Sequence, residues 1–558
     1  MEIDLKGRPF YLDEERISWV CATLSRMTME EKAAQLFCVL LTRGDEEEID
    51  SIFRVMEPGG VTYRPLPLRQ AVQTASSLLR RSKIPPLIAA NLEKGGSGII
   101  REGTTFGSPL EAAATGCVET AADLAEVCAR EAGAVGGNWS FSPIIDIDSN
   151  FHNPITNVRT FGSNPARVAA MGRAYTEKLQ SLGLAACAKH FPGDGQDERD
   201  QHLVTSVNSL DCEEWMETYG KAYRENIEAG VLSVMVGHIM QPAWTRRLNP
   251  GIRDEDIMPA SLSRELMQGL LRGKLGFNGL ISTDATVMAG YSLAMSRRRA
   301  IPESVACGAD IILFARNLRE DYGFLLDGIR SGVVTMERLD EAVTRVLALK
   351  TALRLHENRV PDLASASVIV GCERHQKLAG SCADLAITLV KEKPGVLPVT
   401  PERYRRILYY PLSLPEGSAA CDELEILLRK EGFEVERFEP CGFDRENTVL
   451  YQDFVNRYDL ALYAADLPTK SNQTVVRINW PGPMACGCGH YIHDIPTVFV
   501  SLENPYHLLD FPRVKTYINC YNSNPHCLHQ LIEKLSGRSE FYGKNPVDPF
   551  CGKWDTRL

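Results

Sequence analysis

The feature that most constrains this chain is an alternation. Between residues 33 and 355, short apolar runs rich in β-forming residues recur between longer stretches of helical periodicity. This is the pattern of repeated βα units and of a parallel sheet. Eight runs stand out, at 35–42, 60–63, 86–93, 139–146, 185–191, 233–239, 279–284 and 310–315. Eight is the number that closes a (β/α)8 barrel. The last helical stretch is the clearest: Thr335 can cap it, Glu337 suits its first turn, and Leu339, Val343, Val346 and Leu347 share one face.

At 558 residues the chain is too long for one ordinary core. The periodicity lapses around Asn358 and Pro361, so a linker is expected over 358–368. Beyond it, apolar runs at 406–410, 433–438, 460–464, 497–502 and 516–521 alternate with helical stretches at 422–431 and 526–535. The expected fold class is therefore α/β. A TIM-like (β/α)8 barrel occupies 1–357, and a smaller α/β sandwich domain occupies 369–558.

Charge and composition exclude several partners. With 61 basic and 72 acidic residues the net charge is −11, and the basic run ending at Arg299 is short, so nucleic acid is not expected. No run of about 18 apolar residues suggests a membrane span. The opening stretch MEIDLKGRPFYLDEERISWV is acidic where an export signal would be basic and then apolar. Sixteen cysteines, scattered singly in apolar segments as at Cys38, Cys187 and Cys307, suit a reducing compartment. A cytoplasmic protein is expected.

In a barrel of this type reacting groups sit where strands end and βα loops begin. The ends of the proposed strands carry Asn91, Glu93, Asp146, Asp148, Lys189, His190, His238 and Asp284. Strand ends are polar in many proteins, so the motifs must decide. KHFPGDG (189–195) leaves an apolar strand and turns at once. Its glycines allow close backbone approach, Lys189 and His190 can donate to hydroxyls, and Asp194 can accept from either. A tight structural turn, or a metal site of His190, Asp194 and His202, would use the same residues, although paired ligand spacing is missing. In DQH (200–202), Asp200 can fix the tautomer of His202 and leave its other nitrogen to donate a proton. Asp284 ends the run before Ala285 and could attack an electrophilic carbon, bind a metal or a hydroxyl group, or cap a helix. Cys486, Cys488 and His490 form one cluster without a partner cluster, a weak metal signal.

Together these segments resemble glycoside hydrolase family 3, and within it the β-N-acetylglucosaminidase group. KHFPGDG is similar to its signature turn, DQH to its Asp-x-His dyad, and the stretch 259–290 to the segment bearing its nucleophile. NWSFSPIIDI (138–147), VRTFGSNP (158–165), VMVGHI (234–239), ADLAITLVKEKPGVLPV (383–399) and VSLENPYHL (500–508) extend the resemblance over nearly the whole chain. It implies Asp284 as nucleophile and His202, oriented by Asp200, as general acid/base. It also implies that Lys189, His190, Arg159 and Asp194 bind sugar hydroxyls, with Glu93 and His238 at neighbouring strand ends. One departure concerns Asn91, where the family usually carries aspartate; Asn91 can donate and accept but carries no charge.

The expected activity is a retaining exo-β-N-acetylglucosaminidase acting on short saccharides, with no metal and no cofactor. A sugar phosphorylase, a β-glucosidase-like enzyme and a silent sugar-binding relative are the alternatives. The expected partner is a small oligosaccharide or glycoside, and a homodimer is left open.

Overall fold

The computed structural model describes residues 3–357, 359–392, 395–439, 450–474, 476–480 and 487–558. Asn358 of the expected linker, Pro394 of the 383–399 motif and Cys486 lie outside the described residues. The chain gathers into two compact units that interleave in sequence: Met1–Phe106, Ala121–Thr156 and Asn164–Gln376 form the first, and Gly107–Thr120, Asn157–Ser163 and Lys377–Leu558 the second.

The first unit is the expected barrel. Its strands are β1 (Phe37–Leu41), β2 (Gly60–Tyr63), β3 (Leu87–Ala90), β4 (Trp139–Ser140), β5 (Cys187–Phe191), β6 (Ser233–Val236), β7 (Leu280–Ala285) and β8 (Ile311–Leu313). Seven of the eight predicted runs contain one, and β7 ends one residue past the eighth. Their neighbours run in the order β4-β3-β2-β1-β8-β7-β6-β5, all parallel. Isolated parallel bridges between Trp139 and Ala185 and between Ile144 and Lys189 bring the two ends of the sheet together. Side chains of β2, β3, β5 and β6 are buried throughout, as expected of strands covered on both faces. Inside, the Trp139 indole N–H donates to Ser233 Oγ at 2.8 Å. The helix that ends the barrel pattern, Met336–Ala352, is capped by Thr335 Oγ1 and buries Leu339, Val343, Val346 and Leu347.

β7 is fastened at its amino end by a buried ion network. Asp310, fully buried, accepts from Arg272 Nη2 at 2.7 Å, Arg338 Nη2 at 2.6 Å and the Ile281 N–H at 2.9 Å. Arg272 also donates to the carbonyls of Phe277 and Gly279, so the turn entering β7 is held as well. Burial pushes the Arg272 guanidinium down to about 9, and Asp310 opposes that shift.

The second unit holds a six-stranded sheet: β9 (Thr388–Lys391), β10 (Arg406–Ser413), β11 (Glu434–Arg437), β12 (Leu460–Asp466), β13 (Thr497–Ser501) and β14 (Thr516–Asn519). Its order is β9-β14-β13-β12-β10-β11, parallel except for β9 against β14. Three strands fall inside predicted runs, and β10 and β12 start in one and continue past its end. β9 does neither, because it is a half-buried edge strand with little apolar contrast. Period-two alternation builds two cores. Ile407, Tyr409, Leu460 and Leu462 pack with Leu424 and Leu428 of helix Ala419–Lys430 and Leu528 and Leu531 of helix Pro525–Leu535. Leu408, Tyr410 and Tyr463 join Phe499 and Tyr517 on the other face.

Two early segments complete this unit: Ser108 Oγ donates to the Tyr521 carbonyl at 2.8 Å, and Asn157 Nδ2 to Asn504 Oδ1 at 3.1 Å. The stretch expected as a linker carries a short helix, Leu363–Ile369, capped by Asp362, and the first unit continues to Gln376. Among the described residues no helix is long and apolar enough to cross a membrane.

The Asp310 network yields a test. Asp310→Ala leaves the buried Arg272 guanidinium without its carboxylate and is expected to lower stability by about 3–5 kcal/mol in urea unfolding. The residue lies on the barrel face opposite the strand ends, so KM of the folded variant should match the parent. A variant as stable as the parent would overturn this account of β7.

Candidate active site

The carboxyl ends of β3, β4, β5, β6 and β7 carry Asn91, Glu93, Asp146, Lys189, His190, His238 and Asp284, and the buried carboxylate of Asp146 organises the turn after β5. Asp146, beyond β4 and fully buried, accepts three hydrogen bonds. Its Oδ1 takes the His190 N–H at 3.0 Å and the Asp194 N–H at 2.8 Å, and its Oδ2 takes His190 Nδ1 at 2.7 Å. The His190 ring is thereby fixed with Nε2 turned to Asp284 Oδ2, 3.9 Å away. Asp146, rather than Asp194, orients His190. Likewise Lys189 is held by Glu93 Oε1 at 2.8 Å and Asn91 Oδ1 at 3.2 Å.

Asp194 makes its hydrogen bonds to other groups. Its Oδ1 accepts from Asn153 Nδ2 at 2.9 Å and the Gly195 N–H at 2.8 Å, and its Oδ2 from Gln201 Nε2 at 3.1 Å. The turn leaves no alternative route: Gly195 has φ +103°, and a Cβ there would lie 2.0 Å from the Ile147 carbonyl oxygen. Burial, and then the nearby Asp146 charge, push the Asp194 carboxyl up to about 6.

Asp284 sits near the end of β7 with its Oδ1 accepting from the Ala285 N–H at 2.7 Å. Burial raises its pKa, but the neighbouring His190, His238 and His202 and the Ala285 N–H together outweigh burial. The carboxyl therefore titrates below an ordinary aspartate and is ionised at neutral pH. His202 pairs through Nδ1 with Asp200 Oδ1 at 2.7 Å, and its backbone N–H donates to the same oxygen at 2.8 Å. Asp200 is buried, whereas about a quarter of the His202 side chain (26%) is exposed. The dyad thus presents one accessible ring on an inaccessible carboxylate.

His238, expected beside the substrate, has both ring nitrogens engaged by protein. Nε2 donates to the Ala285 carbonyl at 3.0 Å, which leaves Nδ1 to accept from Ser261 Oγ at 2.8 Å. Burial lowers its pKa, and the neighbouring Asp284 and the Ala285 carbonyl oppose that shift. Its Nε2 thereby supports the residue after Asp284. Arg159 belongs to the second compact unit, on the turn Asn157–Arg159. His190, Asp194 and His202 are each engaged by different protein partners, and among the described residues no group of three or more His, Cys, Asp or Glu side chains is placed to hold a metal ion.

The N-terminal domain profile of glycosyl hydrolase family 3 matches residues 28–349, more than half of the chain. The chain belongs to glycosyl hydrolase family 3. The matched stretch of this family 3 protein contains every candidate residue from Asn91 to Asp284. A β-N-acetylglucosaminidase/β-glucosidase of Cellulomonas fimi is 48% identical over the whole of both chains. The solved structure of a β-glucoside phosphorylase, BglX, superposes with a TM-score of 0.94 at 44% identity, covering 99% of each chain. A family 3 β-N-acetylglucosaminidase from Paenibacillus sp. str. FPU-7 shares the fold with a TM-score of 0.78 at 23% identity, over 94% of this chain and 99% of that one.

Asp194 makes stability depend on pH. Its folded pKa, about 6, lies above the ordinary aspartate value of 3.8, so its contribution is present at low pH and lost as pH rises through about 6. Relative to the parent, Asp194→Asn should therefore gain up to about 3 kcal/mol between pH 4 and pH 7, read from urea unfolding across that range. A pH-independent difference would contradict the assignment.

Proposed function

We propose that this family 3 protein is a retaining exo-β-N-acetylglucosaminidase that removes terminal β-linked N-acetylglucosamine from short saccharides. The observation that carries the reading is the pairing of an accessible His202 with a buried Asp200, near an Asp284 held in its ionised form. Asp284 Oδ1 is held by the Ala285 N–H, which leaves Oδ2 to attack the anomeric carbon. As that bond forms, the bond to the leaving oxygen breaks and protonated His202 gives its Nε2 proton to that oxygen. Asp200 stabilises the imidazolium before transfer and keeps the ring's orientation after it. In the second step neutral His202 takes a proton from water as the water oxygen replaces Asp284 on the anomeric carbon. Lys189, Glu93 and Asn91 offer a charged donor, an acceptor and an uncharged amide to sugar hydroxyls, and His190 Nε2 lies beside the reacting carboxylate.

A second reading is phosphorolysis. It is supported by the phosphorylase that is 44% identical across both chains. The physical argument is that an imidazole repels an incoming anion less than a carboxylate in the same place would.

Hydrolysis of nitrophenyl β-N-acetylglucosaminide beside nitrophenyl β-glucoside, each with and without phosphate, separates the readings. The expected outcome is preference for the N-acetyl sugar with release of free sugar. Sugar 1-phosphate would make phosphorolysis the activity, and preference for the glucoside would overturn the substrate assignment. Asp284→Ala should abolish turnover without unfolding the protein. His202→Ala should cost about 10²–10⁴-fold in kcat/KM on glycosides with poor leaving groups and far less on those with acidic ones; equal losses on both would remove His202 from the acid role.

A further inference from the structure

We propose that Gln201, the residue between Asp200 and His202, is the positioning residue that registers the acid/base dyad against the nucleophile strand. The proposal rests on the acid/base reading of His202 given above. Gln201 lies on a surface-crossing loop yet is 0% exposed. A buried amide is tolerated when both of its polar ends are matched. Both are: Nε2 donates to Asp194 Oδ2 at 3.1 Å, and Oε1 accepts the His238 N–H at 2.9 Å.

The two partners belong to different strand ends. Asp194 is tied through its N–H to Asp146, which holds His190. His238 is tied through Nε2 to the Ala285 carbonyl, and the Ala285 N–H in turn holds Asp284 Oδ1. One side chain thus links the turn after β5 to the residue beside the nucleophile. The backbone around Gln201 docks on the same segment: the Ala289 N–H donates to the His202 carbonyl at 3.0 Å, and Thr205 Oγ1 to the Gly290 carbonyl at 2.9 Å. A Cβ at Gly290 would lie 2.4 Å from the Gln201 carbonyl oxygen, so the loop rests where only glycine leaves room.

Nothing in this arrangement places Gln201 in contact with the reacting atoms; it acts by fixing where His202 stands. A misplacement of about 1 Å in a catalytic group can cost on the order of a hundredfold. The loss should fall on the step His202 serves. Proton donation matters for a poor leaving group and little for a good one, so leaving-group dependence reports position where a general loss of structure would not.

The test compares phenyl with 2,4-dinitrophenyl β-N-acetylglucosaminide. Gln201→Met keeps length and bulk but removes both hydrogen bonds. It is expected to lose about 30–100-fold in kcat/KM on the phenyl glycoside and less than about threefold on the dinitrophenyl one. His202→Ala is measured alongside. Selective loss in His202→Ala with equal or no losses in Gln201→Met overturns this inference alone. Equal losses in His202→Ala overturn the acid/base reading and the inference with it. Should Gln201→Met fail to fold, Gly290→Ala decides, because its methyl presses on the loop from the opposite side; it is expected to show the same selective loss, and an unselective loss or none overturns the proposal.

Discussion

The buried carboxylate of Asp146 is the constraint from which the rest of the site follows. A charge taken out of water needs hydrogen-bond donors, and Asp146 finds them in two backbone N–H groups and one imidazole of the segment after β5. Satisfying it sets the direction of the His190 ring and of the turn through Gly195. Asp194 is then committed to Asn153 and Gln201, and the loop bearing Asp200 and His202 acquires its anchor. Removing the Asp146 charge would therefore be felt by residues that never touch it.

The site separates groups that are spent on structure from groups left available. Asp146, Asp194, Asp200 and His238 are buried and their polar atoms are matched within the protein. His202 and Asp284 keep partial access to solvent, 26% and 14% of their side chains. Exposed strand ends would let water compete for each hydrogen bond, whereas matched buried groups cost little reorganisation when charge moves. The same economy operates at the other face of the barrel, where Asp310 and its arginines fix the entry of β7 far from the chemistry.

The barrel was legible because its strands are covered on both faces and read as continuous apolar runs; the residues ending those runs, Asp284 above all, were legible for the same reason. The strand Thr388–Lys391 was not, since an edge that is half in solvent leaves a faint pattern. Partner choice was hidden at two places. Asp194 looked free to hold Lys189 or His190, and His238 looked free to meet substrate, because one-dimensional proximity says nothing of which acceptor a turn delivers to which donor. Gln201 carried no signal at all, since a polar residue in a polar loop looks solvated until its burial is known. The interleaving of the two units was equally hidden: Ser108 and the Tyr521 carbonyl are 413 residues apart.

That interleaving bears on how the molecule is made. A ribosome emits the segments Gly107–Thr120 and Asn157–Ser163 long before the sheet that completes their unit exists. Until Lys377 and the residues after it emerge, the hydroxyl of Ser108 and the amide of Asn157 wait for Tyr521 and Asn504, although the barrel strands on either side are already available. The barrel cannot be lifted out of the gene as one uninterrupted piece, and a cut near Gln376 would strand two internal segments whose proper surroundings are encoded downstream.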